Sequence, residues 1–338
     1  MEKSQIITKE KLQFSGMMKE ALRIPFKNPN LILFFLVASL SLFFFLLLSE
    51  IIFLQSLIQI LDLLMEYFPL LYGDSTGFDS WQPMYSIREM IGSLLSSLLL
   101  LGIIHLLDLV NTIITVYAAS VIYTGEANNP MSLKQIISTP IKKVGFKGPL
   151  ITSIYALLLS SLAFLGMLSL AMNLYITTDA FLILLFGLPL MGLLTKHIEW
   201  SGIWNMGMVI SILEEKHGDV AIWVSAYLSK GCRKSGFLLA FVFFAWKIAS
   251  RLSCIYYLQS HKGRIGLNVV EVIGGKVCLD CVANFMMWIG FLVYYYDCKK
   301  RFLEKKFDAP DEKSCSDTDC SSLNLFQGIF CSLVFGFL

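Results

Sequence analysis

Two groups of side chains in this sequence have types and spacing that could do chemistry. The first lies in ILEEKHGDVAIWVSAYLSKGCRKSGFLL, residues 212–239, where Glu214, Glu215, His217 and Asp219 crowd together among four basic residues. Carboxylates beside an imidazole are the raw material of a metal site or of acid–base catalysis. The spacing works against both: acids and a histidine adjacent in sequence fan out around a helix, and Gly218 is expected to break the helix there. The second group is a stripe at helical spacing, Ser93, Ser97, His105, Asp108, Thr112 and Thr115, with His105 and Asp108 near the middle of an apolar run. Such a stripe can line a hydrated path or relay protons, because imidazole titrates near neutrality. The same groups can also be hydrogen-bonding glue between helices. Glue is the favoured expectation, since no other apolar run offers a matching chain of acids.

The elements that must position these residues are set by composition. The chain has 338 residues, 56% of them hydrophobic and only 15% charged, where a soluble domain carries about a quarter charged residues. A helix needs roughly 20 apolar residues to cross a bilayer. Six runs qualify, approximately 31–54, 93–122, 150–172, 180–204, 236–258 and 269–296. The expected fold class is therefore all-α, a polytopic membrane protein of about six transmembrane helices in three hairpins. Residues 1–30 form a basic amphipathic segment, 31–298 the membrane domain, and 299–338 a tail. No phosphate-binding glycine loop, HExxH zinc helix, GxSxG elbow or kinase motif set occurs, so no cofactor, no metal and no enzymatic activity is expected.

Charge distribution orients the runs. Of 27 Lys and Arg, six precede the first run, four lie in 131–147, four in 213–235 and six follow the last run. The opposite loops hold only Arg88, Lys262 and Arg264. The positive-inside rule then places both termini in the cytosol. The first run follows about 30 polar residues and lacks a small-residue cleavage site, so it reads as a retained span. Without Gly after Met1, N-myristoylation is excluded. Among eight cysteines only Cys278 and Cys281 form a CxxC. A zinc ribbon needs a second such pair, and small-residue helix packing is the favoured role, with a disulfide as the alternative.

A short amphipathic stretch with a basic end precedes each hairpin. In the first, Phe14, Met17, Met18 and Ala21 share a face. In the second, Leu133, Ile136, Ile137, Ile141 and Val144 do, and Ser132 with Gln135 makes a capping box. In the third, Val220, Trp223, Val224, Tyr227 and Leu228 share a face, with Asp219 as the expected cap. Basic amphipathic helices lie in the interfacial plane with their cations near anionic headgroups. Lys142, Lys143, Lys230, Arg233 and Lys234 are the candidate lipid-headgroup contacts, and His105, Asp108, Thr112 and Thr115 the candidate intramembrane path. The expected partners are the bilayer, its anionic headgroups and unidentified proteins, with no nucleic acid.

Other polar residues read as anchors. Lys196 and Glu199 are spaced to pair beside Trp200 and Trp204 at an interface, and Pro189 is expected to kink that run. Lys247 and Arg251 are expected to snorkel or to meet a phosphate. Past the first run, Gln55, Gln59, Asp62 and Glu66 continue a helical pattern outward. The final apolar stretch, 323–338, reaches about 24 Å, short of a roughly 30 Å hydrocarbon core.

Three blocks carry a resemblance. YAASVIYTGE, PIKKVGFKGPLI and ISILEEKHGDVAIWVSAYLSKGCRKSG resemble a plant family of six-span membrane proteins of unassigned function, over roughly residues 10–306. The last block is also similar to a motif in the membrane domain of bacterial glycerophosphodiester phosphodiesterases, with Glu214 or Glu215, Gly218, Ala221, Ser225, Lys230 and Gly231 at matching positions. Those enzymes carry catalysis in a separate soluble domain that nothing here matches, so the resemblance implies a membrane fold and no phosphodiesterase activity. The functional expectation is a non-enzymatic membrane scaffold that binds lipid or a partner, with a small transporter or channel using the second-span stripe as the alternative.

Overall fold

In a bilayer every backbone N–H and C=O must be satisfied within its own segment, so long apolar runs become helices. A computed structural model describes residues 14–71, 82–125, 131–176, 179–260 and 267–308. Among these residues the chain is all-α: α1 (Phe14–Lys27), α2 (Pro29–Leu71), α3 (Gln82–Thr124), α4 (Leu133–Val144), α5 (Lys147–Ile176), α6 (Ala180–Leu213), α7 (Asp219–Ser229), α8 (Arg233–Ser260) and α9 (Leu267–Asp308). Six of them are long and apolar enough to cross a membrane: Pro29–Phe53, Leu98–Thr124, Lys147–Ile176, Ala180–Leu213, Arg233–Tyr257 and Val270–Glu304. The helices pair as the hairpins α2–α3, α5–α6 and α8–α9. The short helices α1, α4 and α7 precede them at one end, called the basic end below.

The helices overrun the spans read from hydropathy. The helical pattern past the first span is met, since α2 continues to Leu71. α6 runs on through Pro189 to Leu213, well past the expected end near 204. That extra stretch is the most buried part of α6, with Met206, Val209 and Ile210 fully enclosed. Protein, not lipid, surrounds it. Stretches 1–13, 72–81 and 309–338 lie outside the described residues, and with them the apolar tail 323–338.

The hairpins are not three equal modules. α9 is the axis, packed against α1, α2, α3, α6, α7 and α8. Its Ile289, Phe291, Leu292, Val293, Tyr294, Tyr295 and Cys298 are buried, forming one cluster with Met17, Ala21 and Ile24 of α1 and with parts of α2, α3, α6 and α8. A smaller cluster toward the opposite end joins Leu42, Leu100, Ile104, Cys254, Ile273, Val277 and Cys281.

The short helices use their faces differently. α1 turns its predicted apolar face onto the bundle, burying Met17 and Ala21, and leaves Leu22 and Phe26 exposed. α4 starts with the expected capping box, Ser132 Oγ accepting from the Gln135 N–H at 3.4 Å and Gln135 Oε1 from the Ser132 N–H at 3.1 Å. Its face divides: Ile136 is buried while Ile137 and Ile141 are exposed. α7 docks by a stripe the sequence reading missed, Ala221, Ser225 and Ser229. Small side chains let its backbone approach α6, where a Cβ on Gly207 would touch the Ile222 backbone at 3.3 Å and Ser225 Oγ donates to the Ile203 carbonyl at 2.7 Å. Of the expected face, Val220, Trp223 and Tyr227 are left exposed, while Val224 and Leu228 are half-buried against the core. The expected Asp219 cap is corrected: the N-cap is Gly218, with φ 63°, and no side chain caps α7. Asp219 instead occupies the first turn, where its charge suits the helix dipole.

Candidate functional site

The second-span stripe is divided between two neighbours. His105 Nε2 meets Ser153 Oγ of α5 at 2.5 Å. Asp108, less than one turn on, faces α9, where Asn284 Nδ2 donates to its Oδ1 at 2.7 Å. The Thr112 hydroxyl is spent on the Asp108 carbonyl at 2.8 Å, the usual back-bond of a membrane threonine. Thr115 is buried. His105 and Asp108 therefore serve different contacts, whereas Asp108, Thr112 and Thr115 share one. The side chains of Ser93 and Ser97 lie outside the described ones.

That shared contact is a cavity of about 30 Å³ between α2, α3 and α9, with Ser39, Asp108, Asn111, Asn284 and Trp288 in its wall. One or two water molecules fit such a volume. Asn111, Asn284 and Trp288 were missed in the sequence. The available signal was an amide inside an apolar run, which at membrane depth seeks a partner.

A second polar cluster joins α2, α8 and α9 toward the opposite end. Glu50 Oε1 accepts from Lys276 Nζ at 2.7 Å and from Arg251 at 3.0 Å. Lys276 also lies 3.5 Å from Asp280, which accepts from Ser250 Oγ at 3.2 Å. Arg251, expected to snorkel, is half-exposed yet paired to Glu50 and set over the Phe53 ring. Lys247 is exposed. The charges balance, and removing one partner would leave another uncompensated. This cluster is a clamp between helices. Nearby, Cys278 and Cys281 are both free thiols, the first exposed and the second buried.

At the basic end, the acidic block of 212–239 is a clasp. The Tyr295 hydroxyl donates to Glu214 Oε1, as does Lys299 Nζ at 2.9 Å, and Lys216 lies at 3.4 Å. Burial pushes the Glu214 carboxyl up, but the Tyr295 and Lys299 hydrogen bonds outweigh it and hold the group below its ordinary range. Gly218, in the left-handed region, donates its N–H to Thr152 Oγ1 of α5 at 2.8 Å. A Cβ at Gly148 would strike the His217 ring. The loop thus ties α6 to both α5 and α9. Among the described residues no group of three His, Cys, Asp or Glu could hold a metal.

The candidate headgroup residues sit on two separate elements. Lys142 and Lys143 are exposed in the last turn of α4. Lys230, Arg233 and Lys234 surround the turn from α7 to α8, all exposed. Lys230 Nζ stands 5.3 Å over the Tyr227 ring, which stacks on Trp223. Arg233 lies 3.8 Å from Glu199, whose carboxylate also takes Lys196 at 2.8 Å, the pair expected from spacing. Arg233, Lys234, Glu199, Phe237 and Leu238 line an open groove of about 420 Å³.

Comparison with known proteins adds a family and nothing narrower. No curated protein and no solved structure matches the chain. One family, described as Domain of unknown function (DUF8558), matches residues 1–309. The match takes in all nine described helices, the Asp108 cavity and the basic end alike, and the chain belongs to that family.

Proposed function

We propose that this protein is a non-enzymatic membrane scaffold that engages the cytosolic leaflet, or a partner seated there, through its basic end. One observation carries the reading. Each short helix docks on the bundle by one face and leaves large apolar side chains exposed beside cations. These are Leu22 and Phe26 near Arg23 and Lys27, Ile137 and Ile141 near Lys142 and Lys143, and Val220, Trp223 and Tyr227 near Lys230. A soluble surface rarely gathers such residues, whereas a headgroup boundary takes both kinds. Both termini are then cytosolic, as the basic loops require.

The test is to replace Lys142, Lys143, Lys230, Arg233 and Lys234 with Gln and to measure, by mass spectrometry, what leaves the membrane with the protein in mild detergent. The expected result is a several-fold loss of co-purifying anionic lipid or of a protein partner, roughly 1 kcal/mol of attraction being lost per cation. Unchanged lipids and partners would overturn the reading.

A second reading, a small transporter or channel, is supported by one specific observation: the half-buried Asp108 in the wall of a water-sized cavity within a span. In reconstituted vesicles it predicts flux that Asp108→Asn abolishes. A wild-type protein that passes no ion removes it.

A further inference from the structure

We infer that the cavity between α2, α3 and α9 is a binding site for a single alkali-metal cation, held by Asp108. This goes beyond lipid engagement and deepens the transport reading by naming the ion class, on which it rests only for the identity of the site.

Charge supplies the first argument. Asp108 is the one ionisable carboxylate in the cavity wall, and no cation lies within ion-pairing distance of it among the described residues. Lys247, on α8, and His105, three residues before it on α3, are the groups that can bring positive charge toward it; neither lines the cavity and neither forms an ion pair with it. Within the span Asp108 receives one described side-chain hydrogen bond, from Asn284. A carboxylate at membrane depth is costly unless something compensates it, and such groups mark ion or substrate pathways.

The second argument is the chemistry of the wall. Besides the carboxylate, the side chains that can reach the cavity with oxygen are Ser39, Asn111, Thr112, Thr115 and Asn284. These are hard, neutral ligands, which suit alkali and alkaline-earth ions; the rest of the wall is the Cys281 thiol and apolar side chains such as Phe34, Phe35 and Phe285, which offer an ion no oxygen. A lone carboxylate balances one positive charge, which selects a monovalent ion. Asn284 gives its Nδ2 to Asp108, leaving its amide oxygen to accept or coordinate. The volume, about 30 Å³, fits an ion with one water and excludes an organic substrate.

The third argument is independent of the carboxylate. Trp288 lines the same cavity and is 8% exposed, and its Nε1 is buried with no hydrogen-bond partner among the described residues. Buried donors are nearly always satisfied. That donor has no accessible surface as it stands, so an ion with its water would satisfy it by drawing the indole toward the cavity, a movement that tryptophan fluorescence reads.

The experiment uses the full chain in nanodiscs of neutral lipid. Sodium, potassium and choline chlorides are titrated at constant ionic strength while the thermal midpoint and tryptophan fluorescence are followed. A ligand that binds only the folded state raises the midpoint as it saturates. Sodium or potassium should raise it saturably and choline should not, and Asp108→Asn should abolish the response. Asn111→Ala and Thr115→Val should each weaken apparent affinity about tenfold, which keeps the inference testable should Asp108→Asn not fold. A wild type that responds no more to alkali ions than to choline would overturn the site, as would a response to pH alone or one that survives Asp108→Asn. Unchanged affinity in both conservative variants would do the same. Because binding is read without flux or lipid, a failure of the transport or scaffold reading leaves this result standing.

Discussion

α9 and α5 are both long apolar helices, yet they live in different solvents. In α9, burial is nearly continuous from Phe285 to Cys298. In α5 the buried residues are Gly148, Pro149, Thr152 and Ser153, all near the basic end, and the rest is half-buried against α6 or exposed. In water such a difference would show as a polar outer face. In lipid it does not, since hydrocarbon is as apolar as leucine and exerts no demand for polarity outside. The distinguishing feature is what each helix carries inside its apolar run. α9 has Lys276, Asp280, Asn284, Tyr294, Tyr295 and Asp297, all needing partners, whereas α5 beyond Ser153 has mainly aliphatic and small residues.

The largest effect should come from truncating the axis. Phe291 is fully buried and Phe164 is 60% exposed. Phe291→Ala should cost about 3 kcal/mol, the low end for a buried phenylalanine because lipid softens the transfer contribution while the lost contacts remain. Phe164→Ala should change stability by less than about 0.5 kcal/mol. Reversible denaturation in mixed micelles measures both, and equal losses would remove the distinction between axis and rim.

The contrast sharpens at glycine. A Cβ on Gly236 of α8 would run into the Tyr294 hydroxyl and ring on α9, whereas one on Gly187 of α6 meets nothing within 4 Å. Gly236→Ala should destabilise by about 1–3 kcal/mol through overpacking. Gly187→Ala should be neutral or stabilising by up to about 1 kcal/mol, from helix propensity alone. A tolerated Gly236→Ala would mean that α8 and α9 slide apart at little cost.

Much of this architecture was legible in the sequence. Each of the six apolar runs falls on a long helix, and the Ser132–Gln135 pair and the Gly218 break were local signals of the kind that survive without tertiary context. The centrality of α9 was not legible, for the reason given by its comparison with α5. The face by which α7 docks was legible only in part: Val224 and Leu228 do pack inward, but the close approach is made by small residues such as Ala221 and Ser225, which no amphipathic pattern singles out. At the candidate sites Asp108 was found, but its partners were not. Asn284 is 176 residues away, and no spacing rule links two helices that meet only in three dimensions. The same holds for Glu50, which joins Arg251 and Lys276 across 201 and 226 residues.

The smallest effect belongs to the clasp at Glu214, and it is the one with a pH signature. Glu214→Gln keeps the hydrogen bond from Tyr295 and loses the ion pair to Lys299, a lysine exposed enough at 36% to be rehydrated. The cost near neutral pH is about 1 kcal/mol. The sign follows from the direction of the shift. Glu214 ionises below its ordinary value of 4.5 when folded, so the unfolded chain takes up a proton first as pH falls. The stabilisation is therefore fully present above about pH 4.5 and is lost as pH drops through that value toward the folded one. Unfolding midpoints of wild type and Glu214→Gln, measured in a non-ionisable detergent from pH 7 to pH 3, should converge at the acid end. Curves that stay parallel would show that the carboxylate is not held by α9. The loop after α6 would then be tied to α5, through Gly218 and Thr152, and not to α9.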